Sequence, residues 1–333
     1  MDQPGTVRPA LLGLLKSAHG QYLCGPALAR QLGLSRTAVW KQIQKLTAAG
    51  YRIEAHPRKG YRLLGGPDRI LPSELSEILT TEWLGRPYHH LLSTESTNSD
   101  AIRLAQQGAA HGTLVLAEQQ TAGRGRLDRR WEAPAGRALT FSLVLRPALP
   151  PSSAPQITLV AALALVHCIR DHYRIPARIK WPNDILIATR KAAGILTEMQ
   201  AENDRIRFLV LGIGINCNQS RDDLQGSFRY PATSIAIESG AAIDRCAFLA
   251  ALLATLETHF ERLEQFGFAG LLDQLQEVSE VLGAQVVVQI GEKTITGKVE
   301  GMTAEGALKI LTVSGSHEII WAGDITRLTH PSR

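Results

Sequence analysis

The sequence is poor in the features that would tie a chain to a membrane, a metal cage or a disulfide scaffold. Its longest apolar run, Ile157 to Ile169, stops at 13 residues and contains His167. That falls short of the roughly 20 residues a bilayer span needs, so a buried helix is the better reading. The opening Met-Asp-Gln-Pro-Gly lacks the basic and then apolar layout of a secretory signal. Only four cysteines occur, Cys24, Cys168, Cys217 and Cys246, with no Cys-x-x-Cys pair. Neither a zinc site nor a disulfide framework is suggested, and a reducing cytoplasm is the expected compartment. No repeat or low-complexity stretch is evident. What remains, 333 residues with 44% hydrophobic and 20% charged, fits two or three soluble globular domains with a sizeable core.

Acidic residues are scarce at the front. Residues 1–66 hold four Lys and six Arg against only Asp2 and Glu54, a surplus of +8, while the rest carries 26 basic and 29 acidic groups. A basic head on a slightly acidic body suggests that the head meets a polyanion, although a solvated basic face gives the same count. Helices are expected from Pro9 to Ala18, from Pro26 to Gly33, and from the cap Ser35 to about Ala49, with Gly50 as stop. In the last of these, Val39, Ile43 and Leu46 share one face. Arg36, Thr37, Trp40, Lys41, Gln44 and Lys45 point the other way, donors suited to a major groove. Ala29, Gly33 and Val39 have the spacing of a helix-turn-helix. Tyr51–Ala55 and Tyr61–Leu64 alternate like strands around a basic turn with Arg58 and Lys59. The unit reads as a winged helix-turn-helix that binds DNA; a protein-interaction role for the same fold stays open.

Gly65-Gly66-Pro67 marks a linker, and residues 67 to about 275 alternate helical and strand patterns, as in a mixed α/β domain. Strands are expected at Leu114–Glu118, Ala138–Leu145, Ile185–Ala188, Ala193–Met199 and Ile206–Ile215. Helices are expected at Ser73–Thr80, Ser99–Gln107, Pro155–His172 and Arg245–Phe266. Within this region Gly123-Arg-Gly-Arg-Leu-Asp-Arg-Arg-Trp131 places four arginines in seven residues, with two glycines that let backbone approach a ligand. Such a loop can wrap an anion. It is not the phosphate loop of NTPases, since no Gly-Lys-Ser/Thr follows, nor a dinucleotide fingerprint, since Asp128 stands where a third glycine is needed. Glu95-Ser-Thr-Asn98 opens a helix, where Ser96 or Thr97 could be only a cap. Lys180-Trp-Pro-Asn-Asp184 precedes a strand. Lys191-Ala-Ala-Gly-Ile-Leu-Thr-Glu198 puts a lone lysine at the start of a mostly apolar strand.

Together these motifs resemble the biotin protein ligase family. The family's Gly-Arg-Gly-Arg-x-Gly-Arg-x-Trp loop is matched by residues 123–131 except at Asp128, where the family usually has glycine. Lys-Trp-Pro-Asn-Asp and Lys-x-Ala-Gly-Ile-Leu-x-Glu are matched in full, Ser-Thr-Asn by residues 96–98, and Gly-x-Gly-x-Asn by residues 212–216. The winged helix at the front is similar to the bifunctional subgroup that doubles as biotin operon repressor. The likeness runs from about Leu11 to Leu328.

The resemblance implies a two-step reaction: biotin and ATP give biotinyl-5′-adenylate, and a lysine of a biotin carboxyl carrier protein then takes the biotinyl group. No enzyme nucleophile is needed, in keeping with the lack of a Ser/His/Asp or Cys/His motif. It implies that Ser96, Thr97, Asn98, Gln120 and Gly194 hold biotin and that Arg124, Gly125 and Arg126 close over it. Lys191 and Arg126 would offset negative charge during catalysis. Arg129, Trp131, Lys180, Asn183 and Asn216 would face the nucleotide, and Asp184 would help hold Mg²⁺. Operator DNA and a ligand-promoted homodimer are the further partners implied. Residues 279–333 read as short alternating strands, similar to the family's SH3-like β-barrel, a lid or support without chemistry. The expected architecture is thus α+β and multidomain, cut at 66 and 278. Two other readings stay open. One is a regulator whose ligase site has decayed, favoured only by Asp128; the other is a related ligase that uses lipoate.

Overall fold

The computed structural model describes residues 7–18, 20–48, 50–66, 69–127, 129–225 and 231–330, so Asp128 lies outside the described residues. Two compact units meet at Arg69 and Ile70. The first begins with α1 (Val7–Ser17), α2 (Gly25–Gln31) and α3 (Arg36–Ala48), followed by a hairpin of β1 (Arg52–His56) and β2 (Gly60–Gly65). The spacing of apolar residues explains the packing: Leu11, Leu15, Leu28, Val39, Ile43 and Leu46 form one closed core. Ser35 caps α3 by accepting from the Ala38 amide at 3.1 Å. Gly33 turns the chain between the two helices at φ +65°. Leu23 adds a bridge to the hairpin through paired hydrogen bonds with Tyr61. This is a winged helix-turn-helix.

The second unit opens with α4 (Pro72–Ile78), β3 (Tyr88–Leu91), α5 (Thr97–Gln106), β4 (Thr113–Ala117), β5 (Ala138–Leu145) and α6 (Ala154–Tyr173). There follow β6 (Arg178–Lys180), β7 (Asp184–Ile187), β8 (Arg190–Glu202), β9 (Arg205–Asn216), α7 (Ile235–Ser239), α8 (Arg245–Phe266) and α9 (Leu272–Glu277). The chain ends with β10 (Gln285–Ile290), β11 (Lys293–Met302), β12 (Leu308–Thr312), β13 (His317–Ile320) and β14 (Asp324–Thr329). A seven-stranded sheet runs in the order β3-β4-β5-β9-β8-β7-β6, antiparallel except for the β3–β4 pair. A five-stranded antiparallel sheet, β13-β12-β11-β10-β14, forms the C-terminal part.

Alternation along β9 sorts the two faces of the large sheet. Leu209, Leu211, Ile213 and Ile215 join a core shared with α6 and α8, while Phe208 and Val210 pack with Ala101 and Ala105 of α5. Helix α6, counted from Pro151, is long and apolar enough to cross a bilayer, but 72% of its most apolar window is buried inside the protein. It is a core helix, as the sequence implies. The core also runs without a break into the C-terminal strands: Val286, Val288, Ile295 and Ile310 belong to the same cluster as Leu159 and Phe268. The Trp181 indole donates to the Gly306 carbonyl at 3.2 Å across that junction.

Candidate active site

On the α5 side of the sheet the side chains of β9 shrink. After Phe208 and Val210 the same face carries Gly212 and Gly214, and the covering helix begins just there, at Thr97. Most cross-strand neighbours are small or polar too. Gly212 lies between Ser142 of β5 and Leu196 of β8; Gly214 lies between Thr140 and Gly194, and Gly194 faces Asp184 of β7. Missing side-chain volume on adjacent strands leaves a cleft of about 600 Å³. Residues 124–127 and 129–131, between β4 and β5, line one side of it.

Nearly every residue singled out by the motifs lines this cleft. Ser96, Thr97, Asn98, Gln120, Arg124, Gly125, Arg126, Arg129, Trp131, Asn183, Asp184, Lys191, Gly194 and Asn216 all do so. Lys180 does not; it is buried in β6 at 4% exposure.

At one end the groups are polar and neutral. Gln120 accepts from the Thr97 amide at 2.8 Å and from its hydroxyl at 3.1 Å, and Ser142 donates to Thr97 and to Asn98 Oδ1. The Gln120 amide nitrogen and the Ser96 hydroxyl have no protein partner among the described residues. Ser96 does occupy the cap position of α5, yet its side chain makes no capping bond, so it remains available to a ligand.

At the other end the groups are charged. Lys191 Nζ sits 2.6 Å from Asp184 and 5.6 Å from the Trp131 ring centre. Trp131 lies against bare backbone, for a Cβ on Gly214 would stand 2.6 Å from the indole nitrogen, and one on Gly194 would stand 3.2 Å from Lys191 Nζ. Arg126 donates to Asn183 Oδ1 and to the Gly323 carbonyl, both at 3.2 Å, and Arg129 pairs with Asp324 at 2.5 Å. Burial pushes the Arg126 guanidinium below its usual value, with Asp324 and Asp184 acting in the opposite direction. Five cations and three carboxylates line the cleft among the described residues, a surplus that attracts anions.

The position of Lys191 depends on a local irregularity. Ala193 pairs with Ile185 of β7 while Lys191 pairs with Leu186, so Ala192 is an extra residue in β8. Regular alternation would put Lys191 and Gly194 on opposite faces. The bulge brings both onto the cleft.

Sequence reasoning missed three contributors. Ser142 is a hydroxyl within an apolar strand, and it is completely buried, which only the folded chain shows. Asp324 comes from the part of the chain read as a support without chemistry. Glu198, the last residue of its motif, touches both Asn98 and Arg124.

The basic head has its own candidate surface. Arg36, Thr37, Trp40, Lys41, Gln44 and Lys45 are exposed on α3, Trp40 by 50%, and Arg58 and Lys59 are exposed at the wing tip. The Tyr22 ring lies beneath Lys59 and Arg62.

Residues 91–216 match the biotin/lipoate A/B protein ligase family, residues 8–62 an HTH domain and residues 281–327 the biotin protein ligase C-terminal domain. Together they define a ligase carrying a DNA-binding domain. More particularly, the chain is 40% identical over 322 residues to the bifunctional ligase/repressor BirA of Bacillus subtilis, covering 96% of this chain and 98% of that one. It is 33% identical to the protein of that name from Escherichia coli, over 91% and 92% of the two chains. Among solved structures it resembles the biotin protein ligase from Aquifex aeolicus in complex with biotin and ATP. There the TM-score is 0.63 at 29% identity, covering 74% of this chain and all of that one. The chain belongs to the bifunctional biotin ligase/repressor family.

Proposed function

We propose that the chain is an ATP-dependent biotin protein ligase that also binds operator DNA and represses transcription in response to biotin. The observation that carries the catalytic part is the polarity of the cleft, neutral donors at one end and Lys191 with Arg126 at the other. Biotin has the same polarity, an uncharged ureido ring and a carboxylate. Ser96 and Gln120 offer free donors to the ring. Lys191 and Arg126 offset the two negative charges that must meet when the carboxylate oxygen attacks the α-phosphorus and the bond to the pyrophosphate breaks. The acceptor lysine of a biotin carboxyl carrier protein then attacks the acyl carbon; AMP leaves with the electron pair and the amine releases its proton to solvent. Arg129, Trp131, Asn183 and Asn216 would border the nucleotide.

Magnesium fits this donor set as an ion shared with substrate. Asp184, one of the three carboxylates that line the cleft among the described residues, would help hold it, and Mg²⁺ commonly takes one or two carboxylates together with phosphate oxygens. When bound, it would neutralise phosphate charge.

For the regulatory part, α3 would enter a major groove of operator DNA while Arg58 and Lys59 reach the backbone, and a homodimer promoted by the adenylate would bind a two-fold site. The cytoplasm is the compartment in which such an enzyme and its DNA meet. The test of the catalytic reading is to mix protein, ATP, Mg²⁺, an acceptor domain and either biotin or lipoate. AMP and biotinylated acceptor are expected with biotin. Product with lipoate alone, or with neither, overturns the proposal.

A further inference from the structure

We propose that Glu198 is a positioning residue that latches the arginine loop over the biotin end of the cleft. The inference rests on the reading that this cleft binds biotin. Glu198 lies on β8 with 29% of its side chain exposed, and it is not among the residues lining the cleft. One of its oxygens, Oε2, accepts from Asn98 Nδ2 at 2.7 Å and from an Arg124 guanidinium nitrogen at 3.0 Å. The carboxylate thus joins the fixed floor of the cleft to the first arginine of the loop above it.

Asn98 makes the floor side rigid. It is 4% exposed. Its Oδ1 accepts from Ser142 at 2.6 Å, and its Nδ2 donates to Glu198 and to the Leu196 carbonyl at 3.3 Å. A Cβ on Gly212 would stand 2.8 Å from the Asn98 side-chain carbon, so the amide is held from below as well. Every strong hydrogen-bonding capacity of its NH₂ is used within the protein. Asn98 therefore acts as a strut, and Glu198 sets which way its amide faces.

Arg124 makes the loop side conditional. Without Glu198 it would stand free beside a ring end built from neutral groups, where an uncompensated cation favours the wrong ligand end. Paired, it presents little net charge there, and the positive charge of Lys191 and Arg126 stays at the other end of the cleft. Lys191 and Glu198 are seven residues apart on one strand, roughly 20 Å at ~3.3 Å per residue with the extra Ala192 discounted. Glu198 is too distant to act on the reacting atoms, so its removal should appear in biotin binding and loop order, with chemistry little changed.

The experiment compares the full-length protein with Glu198→Ala, Glu198→Gln, Arg124→Glu and the charge-swapped Glu198→Arg/Arg124→Glu double variant. KM for biotin and kcat for adenylate formation are measured, together with trypsin cleavage after Arg124, Arg126, Arg129 and Arg130, mapped by mass spectrometry. Glu198→Ala is expected to raise the biotin KM at least tenfold, change kcat less than threefold and speed cleavage in the loop. The swap is expected to recover part of what Arg124→Glu loses. An unchanged KM with unchanged cleavage overturns the proposal, and so does a fall in kcat at constant KM. If the unmodified protein forms no biotinyl-adenylate, it is the reading of the cleft that fails; a normal wild type beside an unaffected Glu198→Ala fails the latch alone.

Discussion

A single ammonium carries much of the chemistry at the residue scale. Lys191→Ala removes the cation 2.6 Å from Asp184 and leaves that carboxylate facing the incoming anions. Adenylate formation should fall at least tenfold, about 1.4 kcal/mol of barrier, with the thermal midpoint nearly unchanged; stopped assays of pyrophosphate release check this. Gly214→Ala tests the seat of Trp131. Its added methyl meets the indole with no room to spare, and overpacking of this kind costs about 1–3 kcal/mol. The indole is expected to be displaced instead, with a raised KM for ATP and a shifted fluorescence spectrum. Lys191 and the arginine loop were legible in the sequence because charge in an apolar or glycine-rich setting stands out. Ser142 and Glu198 were not, because their partners are distant in sequence and only folding brings them within bonding range.

At the scale of elements, the long helices were legible from caps and apolar content. The short β3, β6 and β14 were not: three to six residues such as Arg178–Lys180 carry no pattern of their own, and their partners define them. The helix pair α6 and α8 holds a buried contact that has no role in the cleft. His259 Nδ1 lies 2.8 Å from the Thr255 carbonyl and must carry hydrogen there, which leaves Nε2 to accept from His167 Nδ1 at 3.0 Å. Burial depresses both imidazoles, Arg262 adds to the effect on each, and Asp171 and Glu277 oppose it at His167. A depressed folded value means the unfolded state binds the proton more readily, so stability is present above the ordinary histidine value and lost as pH falls through it. The thermal midpoint should therefore drop between pH 7.5 and 5.5, and His259→Gln should flatten that slope. An equal slope in both proteins removes the pair as the cause.

The whole molecule separates into units with distinct cores, the first built on α1–α3 and the second on the large sheet. Removing residues 1–69 is expected to abolish DNA binding while leaving adenylate formation within about threefold, read by gel shift and AMP release. In the intact protein, operator affinity should fall linearly with salt on logarithmic axes, as exposed Arg36, Lys41, Lys45, Arg58 and Lys59 displace phosphate counterions. The basic surplus that signals this division is visible in the sequence. The continuity of the C-terminal strands with the central core is not, since it depends on contacts such as Trp181 with Gly306.

The extra residue at Ala192 works as a phase shift. Upstream of it the strand is out of step with the residues that follow, and that offset decides which face the ammonium occupies. Straightening the bulge with Ala192 kept would leave the lysine, the glycine and the glutamate in place, and would alter nothing that a composition or a pattern search weighs. It would nonetheless turn the charge toward α6 and the apolar interior. Within this motif the count of residues matters as much as their identity, and a homologue one residue shorter between its lysine and glycine should carry a regular strand there, with the ammonium still on the cleft face.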